Sequence, residues 1–217
     1  MKRKLVLAFL AGLAIGVGAT LALWQQLHGG PPGQANVVRN EPLEQAGRRQ
    51  WARPLDCPGV GNFHRVSPSL YRGAQPTSEG IRNLKEMGVK SILNLRYVHS
   101  DRDEIGRTDI ACEHLHFNPL HPEDEDVVKF LRIATDPARL PVFVHCQHGS
   151  DRTGMMCAVY RVAVEGWTKD QAAAEWTEGG FGFHDEFQNL IRYFRDLDVD
   201  AVKREAGVAT RPATPRP

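Results

Sequence analysis

Cys146 is the residue of this chain best placed to do chemistry. It follows the run Val142-Phe143-Val144-His145, and Gln147-His148-Gly149-Ser150-Asp151-Arg152-Thr153 comes after it. The run reads as a buried strand and Thr153–Glu165 as a helix, so the segment wraps from a strand end to a helix start. Such a loop turns several backbone N–H groups inward and the helix dipole adds to them. Together they bind a tetrahedral oxyanion. Gly149 permits backbone angles that other residues avoid. Arg152 offers a planar fork to two oxygens of the anion. A cysteine in that positive field is favoured as thiolate, and a thiolate beneath a bound phosphate is a ready nucleophile. A plain core thiol beside a helix-capping arginine would leave the glycine and the strand-to-helix placement unexplained.

The pattern His145-Cys146-x-x-Gly149-x-x-Arg152-Thr153 resembles the signature of cysteine-dependent protein tyrosine phosphatases. The form Cys-x-His-Gly-x-Asp-Arg-Thr-Gly is similar to the small dual-specificity-like phosphatases of bacteria. Leu70-Tyr71-Arg72-Gly73-Ala74-Gln75-Pro76-Thr77 resembles the family's entry segment, and the stretch from Gly88 to Arg96 its central strand. The likeness implies two-step phosphoryl transfer. Cys146 attacks phosphorus, while Arg152 and the loop from Gln147 to Thr153 bind the phosphoryl oxygens. Thr153 donates to the departing sulfur, and His145 orients the surroundings of the cysteine. The family takes its general acid from the loop after the preceding strand, here Pro119-Leu120-His121-Pro122-Glu123-Asp124-Glu125-Asp126. No Trp-Pro-Asp occurs there. Asp124 is taken first, with Glu123 and His121 as alternatives, and the whole run also suits the first turn of a helix. Asp151 is expected to shape the pocket or activate water. No cofactor and no metal are required.

The other histidines and cysteines have blander readings beside functional ones. His114 and His116 share a strand face and could bind zinc with His121, but no carboxylate partner is evident. His148 faces outward or touches the substrate. Phe181-Gly182-Phe183-His184 lines the pocket or simply joins helices with two core aromatics. Cys157 reads as core, and a Cys57–Cys112 bridge is conceivable if the domain is exported.

The elements that must hold this loop alternate along the chain. Phe63–Val66, Leu70–Arg72, Ser91–Leu95, Glu113–Asn118 and Pro141–His145 read as strands. Helices are expected from the Thr77 cap to Met87, at Ser100–Asp103 with capping-box spacing, at Asp124–Thr135, and at Thr153–Glu165, Thr168–Glu178 and Glu186–Asp198. The pattern predicts an α/β domain: a central, mainly parallel sheet flanked by helices, a three-layer domain of dual-specificity-phosphatase type.

The 217 residues are 41% apolar and 24% charged, with net charge +1 and 4 cysteines. That excludes wholesale disorder and gives no broad basic field for nucleic acid. The averages hide an organisation into residues 1–24, 25–53, 54–202 and 203–217. Lys2-Arg3-Lys4 precedes a charge-free apolar run to Trp24. Such a run reads as a membrane anchor or a cleaved signal peptide, with the domain exported, membrane-anchored, periplasmic or secreted. A linker, the phosphatase domain and a disordered tail follow. The expected substrate is a phosphorylated protein carrying phosphotyrosine, with phosphoserine and phosphothreonine as further targets. A phosphoinositide or inositol phosphate, a weakly active phosphate-binding module and a sulfur-transfer enzyme are the alternatives.

Overall fold

A computed structural model describes residues 49–209. The expected targeting segment 1–24, most of the linker and residues 210–217 lie outside the described residues. The strands are β1 (Arg53–Pro54), β2 (His64–Ser67), β3 (Leu70–Gly73), β4 (Ser91–Asn94), β5 (Ala111–His114) and β6 (Val142–His145). They form one sheet in the order β1-β2-β3-β6-β4-β5. Strands β3, β6, β4 and β5 run parallel, and β1 and β2 add an antiparallel edge.

Strand β6 lies between two parallel neighbours, and all of its residues are buried. That explains its almost unbroken apolar run, since neither face meets water. Successive side chains enter opposite cores, as a period of two requires. Val142 and Val144 pack with helices on one face, and Phe143 packs with Ile81, Leu84 and Ile92 on the other. The second face is covered by α1 (Ser78–Glu86), capped as expected by the Thr77 hydroxyl accepting from Gly80 N–H. The first face carries α3 (Asp124–Thr135), α4 (Asp151–Ala163), α5 (Lys169–Glu178), α6 (Gln188–Asp196) and α7 (Val199–Ala206). A short helix, α2 (Arg102–Ile105), follows β4. The expected three layers are present.

Several boundaries differ from the sequence expectation. Strand β5 is Ala111–His114 rather than Glu113–Asn118, because its pairing with β4 ends at Asn94↔His114 and the chain then turns. The expected Ser100–Asp103 capping box is out of register, because α2 starts at Arg102: Ser100 Oγ accepts from Arg102 N–H at 3.3 Å, and the N-cap residue Asp101 turns its carboxylate inward. Helix α4 begins at Asp151, inside the anion loop as read from sequence. The expected helix Glu186–Asp198 is a 3-10 turn at Asp185–Phe187 followed by α6, and a helix not expected from the sequence, α7, comes next, started by Asp198 accepting from Ala201 N–H at 2.9 Å. Helix α7 continues past residue 202 to Ala206, and its Val202 is buried. All four cysteines are free, with Cys57 and Cys157 in the core and Cys112 exposed. No helix among the described residues is long and apolar enough to cross a membrane.

Candidate active site

Cys146 leaves the carboxyl end of the central strand and is almost wholly buried, with 1% exposure. The loop after it is shaped from outside. Each carbonyl oxygen from Cys146 to Ser150 is captured by a donor, and three of those donors come from other parts of the fold. The Cys146 carbonyl accepts from His145 Nδ1 at 3.1 Å, and that of Gln147 from Gln75 N–H at 3.1 Å. The His148 carbonyl accepts from Asn62 Nδ2 at 3.0 Å, and that of Gly149 from Arg72 Nη2 at 2.6 Å. The Ser150 carbonyl accepts from Gly154 N–H within α4. Peptide planes pinned by their oxygens must aim their N–H groups the other way. None of the N–H groups of Gln147, His148, Gly149 or Ser150 is spent on a backbone carbonyl. The loop is therefore a preformed nest of unspent donors at the amino end of α4, with Cys146 at its base.

Gly149 is required at its position. Its φ is +75°, and a Cβ there would lie 2.5 Å from the Gly73 carbonyl carbon and 2.7 Å from Ala74 N. Arg72, fully buried, reaches the loop from β3 with its guanidinium over the Phe181 ring at 3.7 Å. The Phe181 carbonyl accepts from Ser150 Oγ at 2.7 Å and from Asn62 Nδ2 at 2.8 Å. The segment Phe181–His184 is thus brought against the loop as well as joining helices. Arg152 is half-buried in the first turn of α4. Thr153 Oγ1 is buried without a protein partner, a free donor in the same turn.

Asp151 does not present its carboxylate to the loop's interior as a free acid. Oδ1 accepts from His184 N–H at 2.9 Å and Oδ2 meets His184 Nδ1 at 2.9 Å. That bond and the charge of Asp151 raise the His184 imidazole above its ordinary value. The His184 ring lies 5.3 Å from that of His148, so the structure brings both histidines together at the loop. Asp124 heads α3 and accepts from Tyr193 Oη at 2.6 Å. Burial first, then that bond, pushes the Tyr193 hydroxyl up. Asn189 Nδ2 donates to the Pro119 carbonyl at 2.7 Å, so α6 holds both ends of the 119–124 stretch. Glu123 and His121 are exposed and 3.9 Å apart. Within the acidic run the Asp126 carboxyl is pushed up, mainly by burial and then by Glu123 and Glu125.

His114 Nε2 meets the Arg96 carbonyl at 2.7 Å and His116 Nδ1 meets that of Tyr97 at 2.8 Å. Both clamp the loop after β4. Among the described residues the cluster with ligand spacing is instead His99, Asp101 and Glu104. Sequence reasoning missed Asn62, Arg72, Gln75 and Asp101, all of which contact the loop or His145 from elsewhere in the fold. A usable signal existed for Arg72: an arginine inside a strand between Leu70 and Gly73 needs an acceptor.

Residues 62–186 match the family described as "DSP-PTPase phosphatase fused to NAD+ Kinase". The chain is 34% identical over 154 residues to the dual specificity protein phosphatase TpbA of Pseudomonas aeruginosa, covering 70% of this chain and 69% of that protein. The crystal structure of P. aeruginosa TpbA in complex with pTyr matches with a TM-score of 0.65 at 32% identity, over 73% of this chain and 97% of that one. An inositol diphosphatase of Arabidopsis thaliana is 26% identical over 155 residues, 66% of this chain and 72% of that protein. A cysteine at the base of a preformed anion nest, on a fold shared to this extent, makes the chain a member of the DSP-PTPase family of cysteine-dependent phosphatases.

Proposed function

We propose that this enzyme removes phosphate from phosphotyrosine in proteins, with phosphoserine and phosphothreonine as further substrates, through a phosphocysteine intermediate. The observation that carries the proposal is the outward capture of every carbonyl from Cys146 to Ser150, which leaves the loop's donors free for one tetrahedral dianion. The Cys146 thiolate attacks phosphorus, forming S–P as the P–O bond to the tyrosyl oxygen breaks. Asp124 gives its proton to that oxygen. Arg152 and the loop amides hold the equatorial oxygens, where charge needs stabilising. Water then attacks the phosphocysteine and passes a proton to Asp124. The S–P bond breaks, inorganic phosphate forms and Thr153 Oγ1 donates to the sulfur. Tyr193 Oη, donating to Asp124 Oδ1 at 2.6 Å, ties that side chain to α6.

TpbA in complex with pTyr supports the aromatic substrate. The loop of this chain holds no lysine to meet additional phosphates, which counts against inositol phosphates. A release assay over phosphotyrosine peptides, phosphoserine peptides and inositol polyphosphates tests the assignment. Preference for phosphotyrosine is expected, and faster release from inositol polyphosphates overturns it. We further propose that residues 1–24 export the domain, on the strength of Lys2-Arg3-Lys4 and the apolar run after them. Fractionation of cells expressing the full chain tests that: recovery in the cytosol contradicts it.

A further inference from the structure

The chain between α5 and the 3-10 turn at Asp185–Phe187 is fastened to the amino end of α4 at two points. The Phe181 carbonyl accepts from Ser150 Oγ, and Asp151 takes His184 by its backbone N–H and by ring Nδ1, each at 2.9 Å. The Asp151 side chain is 7% exposed and that of His184 39%. Asp151 stands in the first turn of the helix whose amino end receives the phosphoryl dianion. A bare carboxylate there would repel that dianion. Both of its oxygens are turned to His184 instead, and the two-point hold fixes the direction of the ring. With Nδ1 on Asp151, Nε2 is the outward nitrogen, and it makes no hydrogen bond among the described residues. His148, whose side chain is exposed, stands beside it with ring centroids 5.3 Å apart and planes at 55°. Asn62 Nδ2 holds the His148 carbonyl at 3.0 Å, so its backbone is pinned while its ring stays open to solvent. Two imidazoles so placed can each give an N–H to one anion at about 2.8 Å.

We infer that His184, aimed by Asp151, forms with His148 a subsite at the rim of the phosphate loop that takes an acidic side chain next to phosphotyrosine in the substrate. This subsite deepens the phosphatase reading and rests on it. The bond to Asp151 first, then the charge of Asp151, outweigh burial and hold the His184 imidazole above its ordinary value, and Glu186 adds to that. A protonated ring has Nδ1 for Asp151 and an N–H at Nε2 for the substrate. Once the ring loses that proton, Nε2 can only accept, and it turns an acid away. His148 offers a ring N–H whether or not it is charged. The charged and titratable groups around the His184 ring are Asp151 and Arg152 on α4, Asp185 and Glu186 on the 3-10 turn, and His148 on the loop. Asp185 and Glu186 are exposed, and neither bonds the ring. The Phe187 ring packs edge-on against it at 6.5 Å. The loop amides and Arg152 hold the phosphate, and the two imidazoles read the residue beside it.

The test compares two phosphotyrosine peptides identical except for Glu or Gln on both sides of the phosphotyrosine. The ratio of their kcat/KM values cancels every ionising group that the two reactions share. A preference for the Glu peptide of about fivefold is expected at pH 6, shrinking to parity by about pH 9 as His184 loses its proton. The gain should lie in KM, since the flanking residue takes no part in bond breaking. His184→Asn keeps an N–H for Asp151 and removes Nε2. It should erase the preference at pH 6 and leave the rate on the Gln peptide unchanged. A preference absent at pH 6, independent of pH, or retained in His184→Asn overturns the proposal. If His184→Asn does not fold, the wild-type pH profile of the ratio decides alone. Hydrolysis of neither peptide would sink the phosphatase reading. Fluorescence anisotropy of the two labelled peptides on Cys146→Ser, which needs no turnover, then decides the subsite: tighter binding of the Glu peptide at pH 6 supports it, and equal binding overturns it.

Discussion

Replacing Gly149 by alanine should disable the loop out of proportion to the single methyl added. The residue sits at φ +75°, and the new Cβ would lie 2.5 Å from the Gly73 carbonyl carbon, 2.6 Å from its oxygen and 2.7 Å from Ala74 N. Those are backbone atoms of the segment leaving β3, so no side chain can swing aside. A left-handed non-glycine residue costs about 1–2 kcal/mol and overpacking about 1–3 kcal/mol, so the variant should lose about 2–5 kcal/mol. Relief requires the loop to part from β3, which breaks the Arg72–Gly149 carbonyl bond that aims the adjoining amides inward. A displacement of about 1 Å at such a site costs on the order of a hundredfold in rate. Gly88→Ala is the control. Its φ is +88°, but nothing lies within 4 Å of its added Cβ, so it suffers the strain alone. Urea unfolding followed by tryptophan fluorescence, with kcat/KM on an aryl phosphate, reads both effects. A Gly149→Ala protein as stable as Gly88→Ala, with wild-type kcat/KM, would refute the reasoning.

Three other substitutions probe separate parts of the account. Asp124→Asn should slow hydrolysis of phosphoserine peptides far more than that of an activated aryl phosphate, whose leaving group needs no proton; equal losses would remove Asp124 from the acid's role. His184 gains stability from Asp151 because its imidazole is raised above about 6.5 in the fold. That gain is fully present below the unfolded value and is lost as pH rises through the folded one. The Tm difference between wild type and His184→Ala should therefore shrink between about pH 6 and pH 9; a constant difference speaks against the pair. Glu175, buried, accepts from Arg161 Nε at 2.7 Å and Nη2 at 2.6 Å and from Ala52 N–H at 2.6 Å. Glu175→Ala leaves that guanidinium with Glu165 at 2.7 Å and the Val66 carbonyl at 3.0 Å, and should cost about 1–3 kcal/mol in urea unfolding; a loss under about 1 kcal/mol, the range of an exposed pair, would show the pair to be dispensable.

The catalytic loop was legible because its chemistry is local. A strand, a cysteine, a glycine and an arginine at short spacing imply a turn around an anion whatever the rest of the chain does. Helices with strong caps were legible for the same reason. Thr168 and Gln171 read as a capping box and form one, starting α5. The Ser100–Asp103 stretch carries similar signals, but the helix starts at Arg102, and Asp101 at its N-cap gives its carboxylate to His145, 44 positions away. Burial makes that hydrogen bond worth more than an exposed cap bond. The supports of the loop were illegible as a group, since Asn62, Arg72 and Gln75 meet it only after β2, β3 and β6 have paired. Asp124 stood in an acidic run that reads equally as a helix start, and only the partner on α6 distinguishes it. Helix α7 was not anticipated from the sequence: the Leu197 ψ of 127° ends the run after α6 and leaves Asp198 to cap a new helix.

Acid quenching of the enzyme during turnover of an aryl phosphate, followed by mass analysis of the peptide spanning Val142 to Arg152, tests the central claim most directly. A phosphoryl group on Cys146, forming in a burst before steady state and absent from Cys146→Ser, which folds but does not turn over, is the predicted result. Steady turnover with Cys146 never phosphorylated, or a Cys146→Ser enzyme that keeps its rate, would contradict it.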